Sequence, residues 1–266
     1  MAKQEEPRDL IRRGDLSSNP AGVLTFCALR PLDTLLQYRL LAGSGGALLA
    51  KAGISTIAAG SAFQPGIAVI DRLKLPLPHL VLLAMSAGAT LKQIYWLVGL
   101  SRENFGAGAA VGVTLFNTVV NTANTMFFLA SATSAANGPS FPGVSSLSAY
   151  QVVGAAVYVL GILLETCSEY QRKAFKDDPA NKGKVMRMGL WSLARHINYG
   201  GYVLWRGGYA LAAWGLPGLV LMAGFQAHDF ATRGVPVLDE YCSKRYGEQW
   251  ASFKRDVKWV LIPGVY

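Results

Sequence analysis

Charge is scarce in this sequence. Only 15% of its 266 residues are Asp, Glu, Lys or Arg, where soluble domains carry roughly 25%, so an ordinary soluble domain is not the first reading. Cysteine is scarcer still. Cys27, Cys167 and Cys242 are odd in number and far apart, with no CxxC and no Cys/His metal spacing, which excludes a disulfide framework and a zinc motif. The opening "MAKQEEPRDLIRRGD" lacks the apolar run that follows a short basic start in a cleavable signal peptide. No serine nucleophile elbow is present. His228 and Asp229 are neighbours, but adjacent helical residues point about 100° apart, and they read as a polar helix end.

What the chain has in quantity is apolar residues, 52% of the total, with 29 glycines, a residue commoner in transmembrane helices than in soluble ones. A bilayer crossing takes about 20 residues. Candidates are 53–70, the weakest because Pro65 interrupts it, then 77–100, 107–131 and 148–167. Residues 199–231 are apolar but broken by "GLPG" at 215–218, which reads as two helices in a tight hairpin. Residues 20–50 place Arg30, Asp33 and Arg39 along what reads as an interfacial amphipathic helix. "GSGG" at 43–46 has no strand before it and no fingerprint glycine after it, so it is a turn. The fold class expected is all-α: a polytopic integral membrane protein of about six transmembrane helices.

The net charge of +9 is concentrated. Arg172, Lys173, Lys176, Lys182, Lys184, Arg187 and Arg195 face only Asp177 and Asp178 between 172 and 195, whereas 132–147 has no charge. Basic loops stay on the cytosolic side, so this segment and both termini are assigned to the cytosol and 132–147 to the lumen. Nucleic-acid binding is the rival reading of a basic chain; so apolar a composition argues against it. The bilayer and a lipophilic small molecule are the expected partners.

The stretch "GLWSLARHINYGGYVLW", 189–205, sets a polar cluster where the basic loop re-enters the membrane. Interfacial anchoring alone accounts for Arg, Tyr and Trp at such a depth. The order of motifs adds more: "EYQRKAFKDDPANKGK" (169–184), "GLW" (189–191), "RHINY" (195–199), "GVPVLDEYCSKRYG" (234–247) and "FKRDVKWVLIPGVY" (253–266). Together they resemble the C-terminal domain of the steroid 5-alpha-reductase-like family, nearest its domain-of-unknown-function branch. That branch is related to the sterol delta-14 and delta-7 reductases and, more loosely, to the isoprenylcysteine carboxyl methyltransferases. The resemblance covers about 149–266 and divides the chain into an N-terminal membrane half, 1–148, on the substrate side, and a cofactor-binding half, 149–266.

The resemblance implies NADPH as cofactor, or S-adenosylmethionine in the methyltransferase branch, and residence in the endoplasmic reticulum. Gln171, Arg172 and Lys176 match the first part of the reductase motif and Asn181, with Gly183, its "N-x-G-K". Trp191, Arg195, His196, Asn198 and Tyr199 match "GLW…RHPNY", and Asp239 and Tyr246 the last motif. The residue chemistry agrees. Arg172 and Lys176, four apart, share a helix face on which they clamp a phosphate or simply form a solvated, positive-inside loop. Trp191 and Tyr199 offer flat surfaces for a planar ring, and His196 and Asn198 offer donors and acceptors. The chain departs from the pattern at Ile197, Gly200, Tyr202, which stands where an acidic residue is common, and Arg206, which replaces one of two tryptophans.

Reducing a C=C bond conjugated to a carbonyl needs a hydride, a proton and a group that polarises the carbonyl. No Glu occupies a membrane position in the first half comparable to the one steroid 5-alpha reductases use. Lys92 and Tyr95, three apart on one face inside 77–100, are the catalytic candidates, with snorkelling as the alternative for Lys92. Asn117, Asn121 and Asn124 form one stripe that either glues helices together or lines the substrate cavity. The reading is an NADPH-dependent reductase of a steroid- or sterol-like substrate. Methyl transfer to a membrane-embedded or lipidated acceptor is the alternative, and a non-catalytic membrane relative is the third.

Overall fold

The structure, a computed structural model, describes residues 14–266 and is mostly helical. Helix α1, Pro20–Arg39, begins where the Asn19 side chain accepts from the Gly22 N–H at 3.1 Å and Pro20 fills the first turn. A wide turn at Leu40–Ser44, with Gly43 at φ +136°, leads into a short helix α2, Gly45–Lys51. The segment 53–70 corrects the sequence reading. It is not a span: 54–67 has no regular structure beyond a bridge from Thr56 to Ala130 and is almost wholly exposed, and only the short α3, Ala68–Leu73, is helical. Pro65 removes a donor, and Gly53 and Gly66 take positive φ, so no helical ladder runs through.

Helices α4, Leu77–Tyr95, and α5, Ala107–Leu129, complete the first half with α1. The interfacial reading of 20–50 is corrected too. Arg30, Asp33 and Gln37 share one face of α1, and all three are buried against α4 and α5, while Leu24, Leu32 and Leu35 point outward. The partners explain the inversion. Arg30 Nε donates to Gln93 Oε1 at 2.6 Å, Asn121 Nδ2 to Asp33 Oδ2 at 2.7 Å, and Thr125 Oγ1 to Gln37 Oε1 at 2.6 Å. Buried polar groups need such partners, and here each face supplies the other's.

A small hairpin, β1 Ser140–Phe141 with β2 Val144–Ser148, lies in the uncharged loop. Helix α6, Ala149–Asp177, starts with a capping box between Ser148 and Gln151. Helix α7, Ile197–Asp229, folds back on itself at Trp214–Gly215, where Gly215 sits at φ +73°. A Cβ on Gly207 would touch Leu219 and Ala223, and Tyr199 stacks on Phe230 at 4.2 Å, so the two limbs are antiparallel. The hairpin read from "GLPG" thus forms one residue earlier, with Pro217 in the first turn of the returning limb.

Glycine also sets how α6 meets α7. A Cβ on Gly161 would lie 2.3 Å from the Trp205 N, and one on Gly208 would lie 2.5 Å from the Tyr158 N. Gly154 and Gly201 make equally close approaches, so the two backbones pack directly on each other, the small-residue packing of membrane helices. Helices α8, Val235–Tyr246, and α9, Glu248–Asp256, close the chain. The last residues return under α7, with the Arg195 and His196 N–H groups donating to Trp259 O at 3.0 Å and Val260 O at 2.8 Å. Among the described residues, three helical stretches, Leu77–Leu100, Ala149–Asp177 and Ile197–Tyr246, are long and apolar enough to cross a membrane.

Candidate functional site

A cavity of about 910 Å³ opens between α4, α6, the hairpin of α7 and α8. Helix α6 gives it one continuous wall. Glu165, Glu169, Arg172, Lys173 and Lys176 all line it, because steps of three, four and seven keep residues on one helical face. Among the described lining residues, nine are Lys or Arg (92, 102, 172, 173, 176, 182, 195, 233, 245) and four are Asp or Glu (103, 165, 169, 229). The wall is therefore strongly positive, and in a partly enclosed site that field acts on an anion more strongly than in water.

The acidic groups are bound into this wall. Glu169 accepts from Arg172 Nη2 at 2.6 Å and from Asn198 Nδ2 at 2.7 Å. Since a carboxylate only accepts, the Asn198 amide is oriented, and its Oδ1 is buried with no hydrogen-bond partner among the described residues. Glu165 pairs with Lys92 and accepts from the Trp205 indole at 2.7 Å. The Lys176 ammonium donates to the Lys184 carbonyl and to the Tyr246 hydroxyl at 3.1 Å. His196 lies parallel to Tyr199, which stacks on Phe230, making a flat aromatic platform. Arg195 reaches the C-terminal strand of chain at Val257 O, 2.6 Å, and burial lowers its guanidinium from the ordinary value while leaving it a cation.

Of the cofactor candidates, Arg172, Lys176, Asn181, Trp191, Arg195, His196, Asn198, Tyr199 and Tyr246 line this one cavity. Gln171 and Asp239 do not. Gln171 Oε1 accepts from the Leu190 N–H at 2.9 Å and holds the 189–192 turn; Asp239 accepts from the Trp250 indole at 2.7 Å and ties α8 to α9. The Trp191 indole N–H is spent on Ser168 O at 2.8 Å, and the ring is buried. The pairing of Lys92 with Tyr95 is corrected. Lys92 is buried and turned to Glu165, whereas Tyr95 is 48% exposed and packs beside Gly99, outside the cavity. Three residues of helix leave the two about 60° apart, enough to separate an inward from an outward face.

Asn117, Asn121 and Asn124 are fully buried inside the bundle and are not among the lining residues. Asn117 Oδ1 accepts from Gln93 at 3.0 Å and from Arg30 at 3.3 Å, and Asn124 Oδ1 accepts from the Trp214 indole at 2.9 Å. Sequence reasoning missed Glu165 and Glu169, both in the wall, and met Tyr202, also in the wall, only as a departure from the family pattern. The signal was there: Glu165 and Glu169 continue the face of Arg172 and Lys176 upward into the apolar span. Both acids lie in the half assigned to the cofactor, whereas the proton donor is expected from the first half.

A family model described as "Protein of unknown function (DUF1295)" matches residues 101–257, more than half of the chain. The chain belongs to this DUF1295 family. It is a steroid 5-alpha-reductase-like family, as the motifs indicated. The "Probable O-methyltransferase ustE" of Ustilaginoidea virens is 36% identical over 247 residues, covering 92% of this chain and 87% of that protein. The "Delta(14)-sterol reductase" of Neurospora crassa is 29% identical over 156 residues, 42% of this chain and 32% of that protein. The "7-dehydrocholesterol reductase" of Danio rerio is 31% identical over 96 residues, 34% of this chain and 19% of that one. The chain thus spans a third or less of these two sterol reductases. With three segments able to cross a bilayer, this DUF1295 protein is an integral membrane protein.

Proposed function

We propose that this DUF1295 protein is a membrane reductase that takes NADPH at the basic mouth of its cavity. The substrate is a lipophilic, steroid- or sterol-like compound whose C=C bond is conjugated to a carbonyl. The observation that carries the reading is the charge of the wall, nine cations against four anions. NADPH is a multiple anion, whereas S-adenosylmethionine is a sulfonium cation that such a field repels. The partial matches to sterol reductases support reduction of a double bond in a sterol-like substrate.

The residues divide the work. Arg172, Lys176, Arg195 and Arg245 are the phosphate ligands, with Asn181 and Tyr246 beside them. The stacked rings of His196, Tyr199 and Phe230 support a planar ring, and the unspent Oδ1 of Asn198 accepts from an amide or hydroxyl. The bound cofactor supplies the hydride. Phe26, Trp96, Val113 and Phe116 give the substrate an apolar berth from the N-terminal half, 1–148, while 149–266 holds the cofactor. In this reading α1, α4, α5, α6 and the two limbs of α7 make six crossings of the endoplasmic reticulum membrane, with the basic segment and the termini in the cytosol.

A second reading is methyl transfer from S-adenosylmethionine, favoured by one observation: the match to a probable O-methyltransferase runs the length of both chains. Thermal unfolding of the detergent-purified protein separates the two. A ligand at about 100 times its Kd adds about 2.7 kcal/mol, or roughly 5–10 °C in Tm for a chain of this size. NADPH is expected to give that rise and NADH less, and Arg172→Gln/Lys176→Gln to abolish it. A rise with S-adenosylmethionine alone would overturn the reductase reading, and no rise with any ligand would leave a non-catalytic membrane protein.

A further inference from the structure

Two of the positions where the chain departs from its family's pattern, 202 and 206, meet in the structure. Arg206 is fully buried in α7 and pairs with no carboxylate among the described residues. Its Nε and Nη2 donate to the Tyr202 hydroxyl at 3.2 and 3.1 Å, one helical turn away. Nη2 also donates to Asn117 Oδ1 at 2.5 Å, and the guanidinium lies over the Trp205 ring at 4.3 Å. Asn121 reaches both Asp33 and Arg206, so one buried carboxylate serves two buried guanidiniums, Arg30 and Arg206. The cost of an unpaired buried cation is high, and such groups persist where they meet developing negative charge.

The Tyr202 phenol stands between that cation and the cavity, whose wall it lines. Both of its hydrogen bonds are accepted ones, so its own O–H proton donates to nothing among the described residues. Trp205 and Phe230 meet its ring edge-on at 4.9 and 5.5 Å and fix its direction. The wall beside it holds Gln93 and the Lys92–Glu165 pair, which are spent on each other and on the buried network.

We propose that Tyr202 is the proton donor to the substrate carbonyl and that Arg206 is its positioning residue. The inference rests on the reading of this site as an enone reductase. When bound, a reduced nicotinamide would supply a hydride, two electrons and a proton, to the β-carbon of C=C–C=O. The C=C π bond breaks, and charge moves to the carbonyl oxygen. The Tyr202 O–H donates to that oxygen, and the proton passes on to the α-carbon as the carbonyl re-forms. The substrate gains one hydride and one proton, the nicotinamide is oxidised, and the phenol recovers its proton from water at the cavity mouth. The two Arg206 N–H groups hold the phenol oxygen while it is short of its proton. A phenol backed by a guanidinium thereby does the work of a carboxylic acid at this position.

The test is the infrared carbonyl band of bound progesterone carrying ¹³C at its conjugated C3 carbonyl, recorded with NADP⁺ present so that nothing turns over. Wild-type protein is expected to shift the band to lower frequency than in detergent alone. Tyr202→Phe, which removes only the hydroxyl, should bind progesterone within about threefold and lose the shift. Arg206→Lys, which keeps the charge, should keep part of it. In turnover, Tyr202→Phe should lower kcat by about 10²–10⁴-fold, the usual worth of a positioned acid, with KM nearly unchanged. A shift retained in Tyr202→Phe overturns this proposal and leaves the reductase reading standing. Failure of the wild-type protein to bind progesterone, with or without NADP⁺, overturns both.

Discussion

Lys92 and Glu165 form an ion pair between α4 and α6, with side chains 7% and 11% exposed. Among the described residues, Lys92→Met leaves the Glu165 carboxylate in that setting with only the Trp205 indole as partner. Breaking one side of a buried pair costs about 3–5 kcal/mol, and the cavity beside it lets water soften the loss, so about 3 kcal/mol is expected. At roughly 2–4 °C per kcal/mol the single variant should melt about 6–12 °C lower. The double variant Lys92→Met/Glu165→Gln removes both charges and keeps an oxygen for the indole, and should recover to within about 1 kcal/mol of wild type. Thermal unfolding of all four proteins in one detergent, followed by tryptophan fluorescence, reads the cycle. A single variant that melts within about 2 °C of wild type, or a double variant as unstable as the two singles combined, would refute the reasoning.

Three further perturbations test the frame around the site. Gly208→Leu places a side chain where even a Cβ would lie 2.5 Å from the Tyr158 N, so α6 and α7 must separate and the folded protein should not accumulate. Gly112→Ala, on α5 with nothing within 4 Å of the new carbon, should instead gain about 0.5–1 kcal/mol; size-exclusion yield and Tm check both. Arg195→Ala removes the donor to the carbonyls of Val257 and Lys258, at 2.6 and 3.1 Å. Limited proteolysis should then cut the last residues several-fold faster, with NADPH affinity falling alongside.

Much of this molecule is legible in its sequence because apolar length and helix punctuation are local properties. Low charge and long apolar runs announce 77–100, 107–131 and 148–167 as helices, and the Gly-Pro break announces the α7 hairpin. The order of motifs names the family, and nine of its carried-over residues line one cavity. Hydropathy misled at 53–70, where Pro65 and positive-φ glycines outweigh apolar composition. It misled again at α1, whose Arg30 and Asp33 look like a water-facing stripe until Gln93, Asn117 and Asn121 are seen opposite them. Whether a polar residue faces water, lipid or another polar residue depends on what lies across the helix interface, and no local pattern records that. For the same reason the sequence set Tyr95 beside Lys92, and only the packed structure turned one outward and paired the other with Glu165. The i,i+4 bond between Arg206 and Tyr202 is local to α7, but the contact that buries Arg206 against Asn117 on α5 exists only in the packed structure.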